Sequence, residues 1–398
     1  MRLLPLGFTA SRVGLLIGLL TAASATAAST PPPEELRPFF SPPAEFAGQV
    51  GSYPSPLKFY NGRPVVTRAD WLARRKEILT YWHAQMGPWP ALLAKPKVEF
   101  EEKQERIGVT QHRVQIEVAP GVMQHGYLLI PAGAATTPRP AVLVVFYAPE
   151  VSVGYDGPRP LAGQAKKMLE AGARGAERDF ALQLARRGFV TLSIGTPGDD
   201  AYQPALNGAQ CQPLSYHAYI AANCHTVLAQ RPEVDPARIG VMGHSYGGKW
   251  SMFASCLYDK FACAVWSDGG VVFDEKRQAV NYWEPWYLGL DATITRKRGL
   301  ISAAAPRTGA YKTIVEAGHD LHELHALMAP RPFLVSGGSE DGPARWVPLN
   351  HTIAVNQFLG YSDRVAMTNR PDHSPNAESN AQAFRFLEHF LGPVNPAK

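Results

Sequence analysis

Gly243, His244, Ser245, Tyr246 and Gly247 stand in a row, behind the β-type segment 238–242 and ahead of an apolar, helix-compatible stretch, 249–257. This is the G-x-S-x-G pattern in the strand-turn-helix context that a nucleophile elbow requires. Such a turn lifts the serine hydroxyl clear of a sheet edge. Glycine on either side lets the backbone cross without a collision. The N–H of Tyr246, next in line, would open the helix and face a developing oxyanion.

A serine hydroxyl attacks only when a base takes its proton and a carboxylate orients that base. The order expected along the chain is serine, acid, histidine, each on a loop beyond a strand. Segment 332–336 opens into Gly337-Gly338-Ser339-Glu340-Asp341-Gly342, which makes Asp341 the expected acid. Glu340 is the neighbouring alternative. Asp268, Asp274 and Glu275 follow the preceding strand and compete with both. Segment 364–367 opens into a loop holding His373, the expected base, ahead of a last helix. A second oxyanion N–H is expected after strand 141–147, around Tyr147-Ala148. His319, His322 and His325 lie three apart, but no H-E-x-x-H pattern is present, and steps of three drift round a helix face. They are read as packing or polar contacts near the site. Neither a metal nor a cofactor is expected.

The elements that would position these residues can be traced in order. Thr67 to Asp70 looks like a helix start. Trp71, Leu72, Ile78, Leu79 and Trp82 then recur at helical spacing, and Gly87-Pro88 ends the run. Alternation over 112–118 and 126–130 predicts leading antiparallel strands. Apolar strands at 141–147, 190–194, 238–242, 262–266, 333–336 and 364–367 follow. Helices at 177–187, 216–230, 249–257 and 380–391 separate several of them. The alternation predicts an α/β fold with a mostly parallel, doubly wound sheet flanked by helices. Residues 28–60 are expected as an extended arm and 61–398 as the catalytic domain, with an insertion over about 270–325.

The chain has 398 residues, 45% hydrophobic and 18% charged, which suits a large globular unit. A formal net charge of +5, partly from Arg2 and Arg12, is too small and scattered to argue for nucleic acid. Arg2, an apolar run over 13–20 and Ala25-Thr26-Ala27 predict a signal peptide, 1–27, cut after Ala27, and hence an exported periplasmic or secreted protein without a membrane anchor. A monomer is expected. Cys211, Cys224, Cys256 and Cys263 permit disulfides, but the pairing stays open, and Cys256 and Cys263 could equally be core residues.

On these residues the chain resembles the glucuronoyl esterases and their bacterial α/β-hydrolase relatives, including acetyl xylan esterase-like proteins. The likeness rests on Trp71–Leu79 with Gly87-Pro88, on Ser245-Tyr-Gly-Gly-Lys249, on Asn281-Tyr-Trp-Glu-Pro-Trp286, and on the run from Asp320 through His322 to Ala329-Pro-Arg-Pro332. The resemblance implies a serine esterase acting on glucuronoyl esters of xylan. Lys249 would then hydrogen-bond sugar hydroxyls and Trp286 border the sugar, though Trp286 could also be a core aromatic. His322 and Arg174, the latter similar to a family Arg-Gly pair, are further candidate contacts. His244 and Tyr246 depart from the family's usual Cys and Arg on either side of the serine. An acetyl xylan esterase, or a catalytically inactive carbohydrate-binding relative, are the alternatives.

Overall fold

The computed structural model describes residues 31–134, 137–170 and 177–392. The expected leader and Arg174 lie outside them. The described residues from Pro32 onward form one compact unit.

Among the described residues, nine strands make one sheet. Strands β1 (Val98–Arg106), β2 (Val109–Ala119) and β3 (Val122–Pro131) form an antiparallel meander, and β3 pairs antiparallel with β5 (Val190–Ile194). From β5 the sheet continues in parallel through β4 (Arg139–Val145), β6 (Val234–His244), β7 (Cys263–Ser267), β8 (Phe333–Gly337) and β9 (Val365–Asn369). The buried stretches of the parallel strands are largely apolar because both faces are covered. Their side chains alternate between two cores. Leu143, Val145, Val241, Trp266 and Val335 enter one; Val142, Val144, Met242, Val265 and Leu334 enter the other.

Helices α1 (Arg68–Met86), α5 (Pro213–Ala229) and α6 (Tyr246–Leu257) supply the first core with Trp82, Leu214 and Trp250. Helices α2 (Pro149–Ser152), α3 (Gly163–Glu170), α4 (Phe180–Arg186) and α10 (Ala377–Leu391) supply the second with Val151, Leu169, Phe180 and Phe384. α1 begins where expected. Thr67 Oγ1 accepts from Asp70 N at 3.0 Å, and the Asp70 carboxylate accepts from Thr67 N at 3.0 Å, a reciprocal cap. It ends at Gly87, with φ of 86°, where a Cβ would lie 2.3 Å from the Gln210 carbonyl oxygen.

Sequence periodicity did not reveal every element. β1 is an edge strand whose Glu99, Glu101, Glu102 and Lys103 mask any apolar alternation, a charge pattern that discourages edge-to-edge pairing. α9 (Trp346–Leu359) was missed because Asn350, His351 and Asn356 are buried in it beside Leu349 and Val355. Asn350 Nδ2 donates to the Phe46 and Gln49 carbonyls, and His351 Nε2 bonds the Val50 carbonyl. These bonds tie down the N-terminal arm, which opens with a 3₁₀ turn over Glu34–Phe40.

Between β7 and β8 the chain runs without strand or helix as far as α7 (Gly309–Glu316) and α8 (His322–Ala326). A buried ion pair, Arg296 to Glu284 at 3.0 Å, braces this segment. All four cysteines are buried and unpaired, so no disulfide holds this fold. Burial pushes the Cys211 thiol up to about 11 and Cys224 to about 12. No helix among the described residues is long and apolar enough to cross a membrane.

Candidate active site

The register sets the carboxyl ends of β6 to β9 side by side: His244 opposes Ser267, Ser267 opposes Ser336, and Gly337 opposes Asn369. Ser245 leaves β6 with φ 57° and ψ −115°, a conformation a side-chain-bearing residue adopts only when its surroundings force it. The flanking glycines are compulsory. A Cβ on Gly243 would lie 2.2 Å from the Gly247 carbonyl oxygen, and one on Gly247 would lie 2.1 Å from that of Val145. The Ser245 N–H donates to the Ser267 carbonyl at 2.8 Å, anchoring the turn to β7.

His373, on the loop after β9, bridges the site. Its Nε2 is 2.9 Å from Ser245 Oγ and its Nδ1 is 2.6 Å from Asp268 Oδ2. With Nδ1 protonated, Nε2 is free to accept the serine proton. Asp268 also accepts from the N–H groups of Gly338, Glu340 and Asp341, at 2.7, 3.1 and 2.8 Å. Burial pushes its carboxyl up, but the His373 bond and charge and the Asp341 N–H outweigh that and hold it below the usual range. Arg370 fixes the histidine loop from beneath, donating to the His373 carbonyl at 2.7 Å and to that of Ser336 at 2.9 Å.

The acid expected at Asp341 is therefore corrected: Asp268, among the alternatives, meets the imidazole. Asp341 is fully buried and accepts instead from Gly270 N at 2.8 Å and Val271 N at 2.7 Å. Burial and the charge of Asp268 raise its carboxyl. The two loops lie against each other, so chain order could not tell which carboxylate faces His373. Glu340 pairs with Arg277, Asp274 with Arg345 and Glu275 with Arg307, all away from the imidazole.

Tyr246 N is the first N–H of α6, where the helix dipole favours negative charge. The Tyr246 hydroxyl bonds His217 Nε2, a buried partner that no sequence signal disclosed. Tyr147 follows β4 as expected, with its phenol on the Ser245 side and pushed up to about 12 by burial. Its ring stacks on Tyr246 at 4.7 Å.

The other expected contacts have different surroundings. Lys249 is buried; its Nζ donates to the Gly269 and Ala279 carbonyls at 2.7 and 3.1 Å, and burial pulls its ammonium down to about 8. The 269–279 segment folds over it, which helix spacing alone could not foresee. Trp286 is 7% exposed and packs edge-on against Tyr202 at 5.1 Å. His322 lies elsewhere, on α8, bonding the Pro54 carbonyl at 2.7 Å beneath the arm. His325 packs on Trp266, and His319 bonds Glu323 at 3.0 Å. Among the described residues no three His, Cys, Asp or Glu groups converge as metal ligands.

A strand order that places the first three strands antiparallel and the elbow serine after a central parallel strand has solved counterparts. A glucuronoyl esterase from Solibacter usitatus superposes with a TM-score of 0.68 at 20% identity, over 86% of this chain and 98% of that one. The chain has the α/β-hydrolase fold. A CE15 glucuronoyl esterase from Teredinibacter turnerae gives 0.60 at 20% identity over 84% and 88% of the two chains. A putative acetyl xylan esterase from Bacteroides fragilis gives 0.52 at 16% identity over 82% and 84%. In sequence, residues 180–364 match the prolyl oligopeptidase family. No curated protein matches the chain.

Proposed function

We propose that this α/β-hydrolase is an exported serine esterase of carbohydrate esters, with glucuronoyl esters of xylan as the preferred substrate. The observation that carries the reading is the unbroken line from Ser245 through His373 to Asp268 at the elbow. In this mechanism Ser245 Oγ attacks the ester carbonyl as His373 Nε2 takes its proton. Asp268 holds the imidazole in its Nδ1–H tautomer and stabilises the cation. The Tyr246 N–H, with an N–H near Tyr147, donates to the oxyanion. His373 then protonates the leaving alcohol, and water releases the acid by the same route.

Likeness to glucuronoyl esterases in both sequence motifs and fold supports the substrate. A second reading, deacetylation of decorated xylan, has the likeness to the putative acetyl xylan esterase behind it. The intact serine–histidine–aspartate line favours turnover over mere carbohydrate binding. The leader-like first 27 residues support export, and a monomer is the simplest assembly.

The test is hydrolysis of benzyl glucuronate beside para-nitrophenyl acetate, with Ser245→Ala as control. Preference for the glucuronate supports the reading. Acetate hydrolysis alone keeps the serine chemistry and moves the substrate to acetyl esters.

A further inference from the structure

The geometry points to a groove beside the elbow, running from Tyr147 to the edge strand β1, that holds a neutral chain of sugar rings, the polysaccharide bearing the ester. This deepens the carbohydrate-esterase reading and rests on it.

Two adjoining cavities form the groove. The inner one, about 340 Å³, is walled by Tyr147 and Ala148 after β4, by Glu150 of α2, His125 of β3 and Gln164 of α3. The outer one, about 320 Å³, lies over Glu102, Lys103 and Gln104 of β1. Arg113, Tyr127 and Tyr155 line both, so the two adjoin. Each is of a size that holds a small ligand.

Register builds the floor. Glu102 pairs with Arg113 across β1 and β2, and Arg113 with Tyr127 across β2 and β3. Gln104 pairs with Gln111, whose Nε2 donates to Gln104 Oε1 at 3.2 Å. Alternate residues of a strand share a face. Polar rows thus cross the same face on which Val109 and Leu129 enter the second core.

The inner end meets the chemistry. β4 and β6 are neighbours, and Val145 pairs with Gly243, so Tyr147 and Ser245 each stand two residues past the same rung. The Tyr147 ring stacks on that of Tyr246, next to the nucleophile, at 4.7 Å. An ester held over Ser245 therefore has this cavity to one side. The contacts that the resemblance offers a sugar are taken: Lys249 is tied to two carbonyls, and Trp286 is buried.

The walls carry as many carboxylates as basic groups: Glu102, Glu150 and Asp199 against Lys103, Arg113 and Arg159. The three basic groups are already paired, Lys103 with Glu105 at 2.8 Å, Arg113 with Glu101 and Arg159 with Glu102. No excess charge is left to draw an ion. What remains is hydrogen bonding. Buried Glu150 has its Oε1 3.1 Å from His125 Nε2 and accepts from the Tyr127 hydroxyl at 3.4 Å, which fixes both side chains. Gln164 Oε1 accepts from Ala201 N at 3.4 Å. The Arg113 Nε–H is buried without an acceptor among the described residues, a costly state that a ligand oxygen would relieve. A sugar hydroxyl both donates and accepts, and so suits a wall of mixed amide, carboxylate and guanidinium groups.

The test compares benzyl glucuronate with the benzyl ester of glucuronic acid linked to xylotriose, which has the same leaving alcohol. The expected result is a kcat/KM about tenfold higher for the longer ester, because the remote rings add binding energy. Added salt should leave that ratio unchanged, since no charge is recognised. Ala162→Trp, at the exposed rim of the inner cavity, and Gln104→Ala, in the outer one, should bring the ratio toward one. A ratio is insensitive to how much variant protein folds. Equal kcat/KM for the two esters, a ratio that survives both variants, or one that collapses with salt overturns the groove. Calorimetry with xylotetraose separates this from the esterase reading. If neither ester is hydrolysed, the glucuronoyl reading fails, and the groove stands only if xylotetraose binds the wild type saturably and both variants weaken it. Absence of that binding overturns the groove as well.

Discussion

Asp268 and Asp341 lock each other's loops: the Asp341 N–H donates to the Asp268 carboxylate at 2.8 Å, and the Asp341 carboxylate receives the N–H groups of Gly270 and Val271. One carboxylate faces the imidazole and the other faces only backbone. Asp268→Asn should therefore lower kcat about a thousandfold or more with KM little changed. Asp341→Asn should cost under about tenfold in kcat but about 1–3 kcal/mol of stability. Steady-state kinetics and urea melts of the two variants check this; the reverse pattern would return the acid to Asp341.

Lys249 makes a different kind of claim. It satisfies two buried carbonyls, so Lys249→Met should destabilise the fold by about 2–4 kcal/mol. A sugar-contact role would instead leave the denaturation midpoint untouched and raise KM. Chemical unfolding followed by tryptophan fluorescence separates the outcomes.

Asp320 provides a pH signature. Burial pushes its carboxyl up to about 7, against backbone N–H bonds from Phe273 and Leu321. The folded state then holds this proton across a range in which the unfolded state, with a carboxyl near about 4, has released it. Its contribution to stability is present below pH ~4 and is lost as pH rises through about 7. Thermal melts from acid to neutral pH should show a steeper loss in the wild type than in Asp320→Asn; parallel curves would reject the assignment.

Gly247 should accept no side chain. A Cβ there meets the Val145 carbonyl oxygen at 2.1 Å, and the obstacle is backbone that no side-chain rotation can move aside. Gly247→Ala should cost about 4 kcal/mol or more, visible as loss of soluble protein or a collapsed melting transition. A folded, active variant would show that the elbow can relax.

What the sequence disclosed follows from range. The elbow is local: Gly243, Ser245 and Gly247 announce it because tight turns dictate residue type. His373 was legible from its place after the last strand. The parallel strands were legible as apolar runs, since burial on both faces leaves no alternative composition. The acid was not resolved, because Asp268 and Asp341 lie on adjacent loops 73 residues apart and only the fold decides which carboxylate turns inward. Lys249 and Trp286 were read from spacing and resemblance, yet their surroundings are made by a long segment with no period to read. Arg370 and His217 carry no motif at all, as befits groups that serve a backbone carbonyl and a phenol.

The four buried thiols have a consequence for handling and history alike. With none paired and all four pushed toward the protonated form by burial, the folded chain offers neither a nucleophile to an oxidant nor a bridge to a reductant. No disulfide has to be formed or rearranged for this fold to be reached. Its cysteines become visible to a thiol reagent only when the sheet comes apart, so their rate of modification is a clock for opening of the fold.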